Sequence, residues 1–159
     1  MQVGKEEHLN TKIFKDFFEI TKSRLSISVV FSSITGYLLA TETVDTLHIM
    51  YLFIGGFCMV GASNALNQVI ERDYDAVMKR TQNRPIPRGR ISISSALILS
   101  LLMIVMGFYL LYHLNLKTAF FSFFSILIYV SIYTPLKTIT PLSVFVGAFP
   151  GAIPFMLGW

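Results

Sequence analysis

Residues Ile91 to Leu116, ISISSALILSLLMIVMGFYLLYHLNL, run for 26 positions without a charged side chain. A helix rises about 1.5 Å per residue, and about 20 mostly apolar residues cross a hydrocarbon layer of about 30 Å. The stretch is long enough to span a membrane as a helix. It is too long for a strand of an outer-membrane barrel and lacks the period-two alternation such strands need. Outward from it lie four more charge-free runs: Leu25–Thr41 with 17 residues, Thr46–Ile70 with 25, Thr118–Leu136 with 19 and Thr138–Trp159 with 22. Backbone amides in lipid must be satisfied within their own segment. The pattern therefore predicts an all-α, polytopic transmembrane bundle with spans near 25–41, 47–70, 92–114, 118–135 and 142–159. The first run is the shortest, so its helix is expected to begin within Phe17–Arg24.

Composition agrees. Of 159 residues, 53% are apolar and 14% charged, roughly half the ~25% charged share of soluble domains. The mean hydropathy is +0.62. The net charge of +4 could suggest a nucleic-acid partner, but its distribution follows a membrane and no nucleic acid is expected. All nine acids lie at or before Asp75, and the single Cys58 excludes a disulfide framework or a thiolate metal site. Residues 1–24 carry Lys5, Lys12, Lys15, Lys22 and Arg24, with Phe14, Phe17, Phe18 and Leu25 at helical spacing. This reads as an amphipathic helix on the membrane surface, with no cleaved leader expected. The loop at Glu42–Asp45 has no base, whereas 71–91 has Arg72, Lys79, Arg80, Arg84, Arg88 and Arg90. The positive-inside rule places the N-terminus and the 71–91 loop in the cytoplasm. Short connections set sequential helices side by side, and Gly55, Gly56, Gly61, Ala62 and Ser63 suit close helix approach. Pro150 and Pro154 predict a kinked or broken last helix.

The chemistry gathers where the second span ends. Asn67, Glu71 and Asp75 are spaced i, i+4, i+8 and climb one helix face over about 12 Å. Such a line makes a poor cage for a bare ion, but a good partial shell for Mg²⁺ that takes its other ligands from water and phosphate. Asp73 falls on the opposite face, toward Arg72 or another helix. Lys79, Arg80 and Arg84 follow and would suit a diphosphate, which Arg can bind through paired, charge-assisted hydrogen bonds. Pro85 and Pro87 are expected to stop the helix and bias Arg84 toward an extended backbone, leaving the following loop as a candidate lid. Plainer readings stand beside these. Orientation alone can account for Arg88 and Arg90, and an acid near a helix end is often a solvated cap. His8, His48 and His113 lie near span ends and suit interfacial roles better than axial haem ligation.

These residues carry a resemblance. Asn67-x-x-x-Glu71-x-x-x-Asp75, followed by Arg80-Thr81-x-x-Arg84-Pro85, resembles the first acidic motif of the UbiA-type intramembrane prenyltransferases. Within that superfamily, Glu71-Arg72-Asp73-x-Asp75-x-x-Met78-x-Arg80-Thr81 is most similar to the protohaem IX farnesyltransferase (haem O synthase) family. The flanks agree: Thr21-Lys22-x-Arg24-Leu25 with Gly36-Tyr37-Leu38-Leu39-Ala40, then Tyr133-Thr134-Pro135-Leu136-Lys137, Gly147-Ala148-x-Pro150-Gly151-Ala152-x-Pro154 and Gly158-Trp159. Ser23 and Phe155 stand where prolines are usual.

The resemblance implies a nine-helix bundle of which this chain holds five helices, the N-terminal half, in a bacterial-type inner membrane. It implies Mg²⁺ at Asn67, Glu71 and Asp75, with the farnesyl diphosphate head group at Lys79, Arg80 and Arg84. The reaction would transfer farnesyl to the 2-vinyl group of haem B, a substrate rather than a prosthetic group, giving haem O for oxidase assembly. Haem A synthase or oxidase assembly proteins are the implied partners. The family's second acidic motif has no counterpart after Asp75, so this half is expected to be inactive alone. Two alternatives are a UbiA-type enzyme acting on an aromatic quinone precursor and a non-catalytic small membrane protein with a charged loop.

Overall fold

The computed structural model describes the backbone of residues 3–158 and the side chains of residues 12–158. Lys5, His8 and Trp159, discussed above, lie outside the described side chains. Among the described residues every regular element is helical. Helix α1 is Val3–Ile20, α2 Ser23–Ala40, α3 Thr46–Ile70, α4 Arg72–Val77 and α5 Ile93–Tyr112. Helix α6, Leu116–Leu127, continues through a π-helical stretch, Ile128–Tyr133, into a last turn, α7, at Thr134–Leu136; α8 is Ser143–Gly158.

Polar residues start the long helices where the charge-free runs begin. Asp45 accepts the Leu47 amide at 2.8 Å, Ser92 that of Ser95 at 3.1 Å and Asn115 that of Thr118 at 2.8 Å. Each cap satisfies an amide that has no partner within its helix. Helix α2 has no side-chain cap and starts from Lys22, whose φ of 47° is left-handed. It begins within the mixed stretch, as the short first run predicts.

Four helices are long and apolar enough to cross a membrane: Ser23–Ala40, Thr46–Ile70, Ile93–Tyr112 and Leu116–Leu136. The fifth expected span is an apolar helix of 16 residues. It starts at Ser143, where hydrogen-bonded turns that follow Lys137 end. Of the kink or break expected at its prolines, the break does not occur: the helix runs through Pro150 and Pro154 as one element.

Consecutive helices are neighbours, and α8 returns against α2, so α2, α3, α5, α6 and α8 form a closed ring. Leu52, Met59, Leu111, Ala119 and Ile126 make the core on the α3, α5 and α6 side. Close approach of α2 and α8 requires glycine. A β-carbon at Gly36 would fall on the Phe155 carbonyl, and one at Gly158 on the Ser33 carbonyl and the Tyr37 amide. The ring lines a half-open cavity of about 460 Å³, walled by Leu25, Val30, Met59, Ile126 and the rings of Tyr129 and Tyr133.

Candidate diphosphate site

At one end of this ring α3 stops at Ile70. Glu71 has φ −89° and ψ 3°, and the chain resumes as α4. The face expected to be continuous therefore has a joint at its middle residue. Register survives, because the Glu71 amide still bonds the Asn67 carbonyl at 2.9 Å and the Asp75 amide the Glu71 carbonyl at 2.8 Å. Asn67, Glu71 and Asp75 are all buried, 1%, 8% and 3% exposed. Carboxylates this deep need compensating partners.

Each partner comes from another part of the chain. Arg84 Nη1 pairs with Asp75 Oδ2 at 2.5 Å. Lys137 Nζ pairs with Glu71 Oε1. Asn67 Nδ2 donates to Glu71 Oε2 at 2.7 Å. Thr134 Oγ1 lies 2.9 Å from Asn67 Oδ1 and 2.8 Å from the Tyr129 carbonyl. Lys22, half-buried, is the fifth group. Burial pushes its ammonium below the ordinary lysine value and Arg84 pushes the same way; Glu71 pulls it back up, Lys137 lowers it and Asp75 raises it. The charges at Glu71, Asp75, Arg84, Lys137 and Lys22 thus act on one another.

Of the expected site residues, Asn67, Glu71, Asp75 and Arg84 come together. Lys79 and Arg80 do not join them and remain exposed. Asp73 points away, exposed and 3.4 Å from Arg72 Nε. No helix persists as far as Pro85: α4 ends at Val77, and turns follow from Met78 to Arg90. The expected lid is fastened. Pro85 and Ile86 are buried, and Arg90 pairs with Asp16 and, at 2.7 Å, with Glu19 of α1. Arg90 is a structural clamp, and Arg88 bonds Asn83 at 3.0 Å.

The sequence reading missed Lys22, Thr134 and Lys137. One signal was present, since Tyr129, Tyr133 and Lys137 repeat the i, i+4, i+8 spacing of the acidic motif. The π-helical stretch was not legible. Its i to i+5 bonding widens the turn and helps bring Thr134 and Lys137 against α3. Tyr129 and Tyr133 stack 5.1 Å apart, and Lys137 Nζ stands 5.7 Å from the Tyr133 ring centre. The pair stands where the cavity meets the charged cluster.

The donor set can be tested for Mg²⁺. Among the described residues no group of three His, Cys, Asp or Glu side chains forms a metal cage. The donors are two carboxylates and one amide oxygen, hard ligands that suit a partly hydrated Mg²⁺. Thr134 has one proton for two acceptors. Turning the Asn67 amide over resolves this: Nδ2 then donates to Thr134, and Thr134 donates to the Tyr129 carbonyl. So turned, Asn67 Oδ1 would stand beside Glu71 Oε2 as a further oxygen donor for a cation. Glu71 Oε1, meanwhile, accepts no hydrogen bond and faces only the Lys137 charge. These residues fit a partial Mg²⁺ shell.

The sequence pattern of the UbiA prenyltransferase family matches residues 29–159. Among curated proteins, the chain is 61% identical over 150 residues to a protoheme IX farnesyltransferase of Christiangramia forsetii, covering 94% of this chain and 50% of that one. It is 57% identical over 150 residues to the protoheme IX farnesyltransferase of Flavobacterium psychrophilum, covering 92% and 50%. The chain spans about half the length of the curated relatives it matches. In fold it is similar to a digeranylgeranylglyceryl phosphate synthase, with a TM-score of 0.84 and 20% identity over 91% of this chain and 52% of that one. It is also similar to a UbiA homologue of Archaeoglobus fulgidus bound to DMAPP and Mg²⁺, with a TM-score of 0.80 and 15% identity over 90% and 53%.

Proposed function

The chain belongs to the UbiA prenyltransferase family, and we propose that it is the N-terminal half of the catalytic bundle of a protohaem IX farnesyltransferase. In this reading the bundle has nine helices, of which α2, α3, α5, α6–α7 and α8 are the first five. The N-terminus and the 71–91 loop face the cytoplasm of a bacterial-type inner membrane, because the bases concentrate there. The substrates are farnesyl diphosphate and haem B.

One observation carries the reading. Two buried carboxylates, Asp75 and Glu71, are paired with cations drawn from other segments, Arg84 and Lys137, and Lys22 feels the same charges. Alternating charge of this kind suits a ligand that is anionic and itself binds metal. Asn67, Glu71 and Asp75 would hold Mg²⁺, which supplies positive charge to a departing diphosphate. Arg84, Lys137 and Lys22 are released toward phosphate oxygens and stabilise the growing charge on the leaving group. Exposed Lys79 and Arg80 steer the anion to the mouth and contact its outer face. The apolar cavity keeps water from an allylic cation, and the faces of Tyr129 and Tyr133 offer that cation π density. The 2-vinyl group of haem B attacks C1 of the farnesyl cation, and water adds to the resulting haem-side cation to give the hydroxyethylfarnesyl group.

The test is Mg²⁺-dependent farnesyl diphosphate binding by the purified chain. Glu71→Ala and Asp75→Ala should abolish it; unchanged binding would favour a non-catalytic membrane protein. Joining the chain to the C-terminal half of a close relative and weighing the haem products identifies the acceptor. An aromatic quinone precursor prenylated in place of haem would replace this reading.

A further inference from the structure

Lys22 belongs to two places at once. A second hollow, of about 750 Å³, opens at the surface along the α1–α2 turn, lined by Lys15 and Phe18 of α1, by Lys22, and by Arg24, Leu25 and Ile27 of α2. Its one acid, Glu19, is already paired with Arg90 at 2.7 Å. Lys15, Lys22 and Arg24 form no ion pair among the described residues. Beside them Phe18 and Leu25 are 55% and 50% exposed. The hollow thus brings three basic side chains, of which Lys15 and Arg24 are exposed, next to an apolar strip.

It also adjoins the central cavity. Leu25 lines both this hollow and the central cavity, and the Lys22 ammonium feels the charges of Glu71, Asp75, Arg84 and Lys137. The junction is rigid. Gln68 Nε2 of α3 donates to the Ile20 carbonyl at 2.9 Å, and Asn64 Nδ2 to that of Thr21 at 3.3 Å. These bonds hold Lys22 in its left-handed conformation, which costs a non-glycine residue about 1–3 kcal/mol unless the surroundings enforce it.

We propose that this α1–α2 groove is a staging site for the prenyl diphosphate, which docks its head group on Lys15, Lys22 and Arg24 and its chain on Phe18, Leu25 and Ile27 before Lys22 passes the head group inward. The proposal rests on the reading of Glu71 and Asp75 as a diphosphate site. A prenyl diphosphate collects at the membrane interface because its chain is apolar and its head is charged. A basic groove there raises its local concentration and its rate of capture. Sharing Lys22 and Leu25 lets the molecule move without either end being wholly released.

The experiment uses the chain in nanodiscs of phosphatidylcholine, with a photoreactive farnesyl diphosphate. Labelling is expected on Phe18 or Ile27 as well as inside the ring. Lys15→Gln with Arg24→Gln, both exposed side chains, should slow association about tenfold at low salt and leave equilibrium affinity at the inner site unchanged. The difference should vanish at high salt, where the screening length falls to a few ångströms. Glu71-dependent binding with an unchanged rate and no groove labelling overturns the staging site alone. Groove labelling displaced as readily by phosphatidylglycerol as by farnesyl diphosphate also overturns it, since the groove is then a seat for anionic phospholipid. Groove labelling with inner binding indifferent to Glu71→Ala defeats the diphosphate-site reading instead, and absence of any binding defeats both.

Discussion

The ammonium of Lys137 is paired with the carboxylate of Glu71, which ties the end of α7 to the joint between α3 and α4. Glu71 is buried and Lys137 is about a third exposed, so the pair is only partly screened by solvent. The same lysine stands near the Tyr133 ring, 5.7 Å from its centre. One side chain thus connects the acidic motif to the aromatic end of the cavity.

Lys137→Met should leave Glu71 without its counter-charge. Allowing for the exposure of Lys137, we expect a loss of about 1–3 kcal/mol in detergent, read as a lower Tm. Farnesyl diphosphate affinity should fall by about tenfold or more, the value of one charge-assisted contact. Adding Glu71→Gln should recover the Tm without recovering the binding.

Arg84 and Lys79 separate a paired site cation from an exposed one. Arg84→Lys keeps the charge and loses the planar fork, and it should weaken farnesyl diphosphate binding by about tenfold at equilibrium. Lys79→Gln should act mainly on the association rate and its salt dependence. Titration calorimetry and stopped-flow binding distinguish the two.

Thr134→Val removes the hydroxyl between Asn67 and the Tyr129 carbonyl. A buried amide left short of a partner costs about 1–3 kcal/mol, so the Tm should fall, and Thr134→Ser should restore it. If Asn67 turns over to meet Mg²⁺, the thermal shift that Mg²⁺ and diphosphate produce together should be smaller in the Val variant and normal in the Ser variant.

Lys22 predicts a pH dependence. Its folded-state pKa lies below the ordinary value of 10.5, chiefly through burial and next through Arg84. Between that lowered value and 10.5 the unfolded chain holds a proton that the folded chain has lost, so this group makes stability rise with pH across the window. A bound polyanion restores the charged form, so binding takes up a proton and affinity falls as pH passes the lowered value. Lys22→Gln should flatten both trends and weaken binding at pH 7, measured by thermal unfolding and by titration from pH 7 to 10.

How much could be read in advance differs from residue to residue. That Asn67, Glu71 and Asp75 share one face follows from their spacing, which the Glu71 joint does not disturb, whereas their burial comes from packing. Arg84 was one of several bases that follow that motif, with nothing in the spacing to set it apart. Lys79 and Arg80 looked equivalent to it and are not, because the turns after Val77 carry them outward. Arg88 and Arg90 were ambiguous because a cytoplasmic orientation requires bases whatever else they do, and only the position of Asp16 and Glu19 on α1 shows Arg90 to be a clamp.

The amino-acid order by itself determined that the chain is helical and built for a membrane, because each charge-free run must satisfy its backbone internally. It also determined that three oxygen donors line one helix end, because helical phase depends only on local spacing. The tertiary structure alone decided which cations meet those oxygens. Lys22 enters through a left-handed turn pinned by Gln68 and Asn64, and Thr134 and Lys137 through a π-helical register. The physical reason is that such contacts join remote segments, and their energies depend on burial and orientation that appear only once α2, α3 and α6 are packed together.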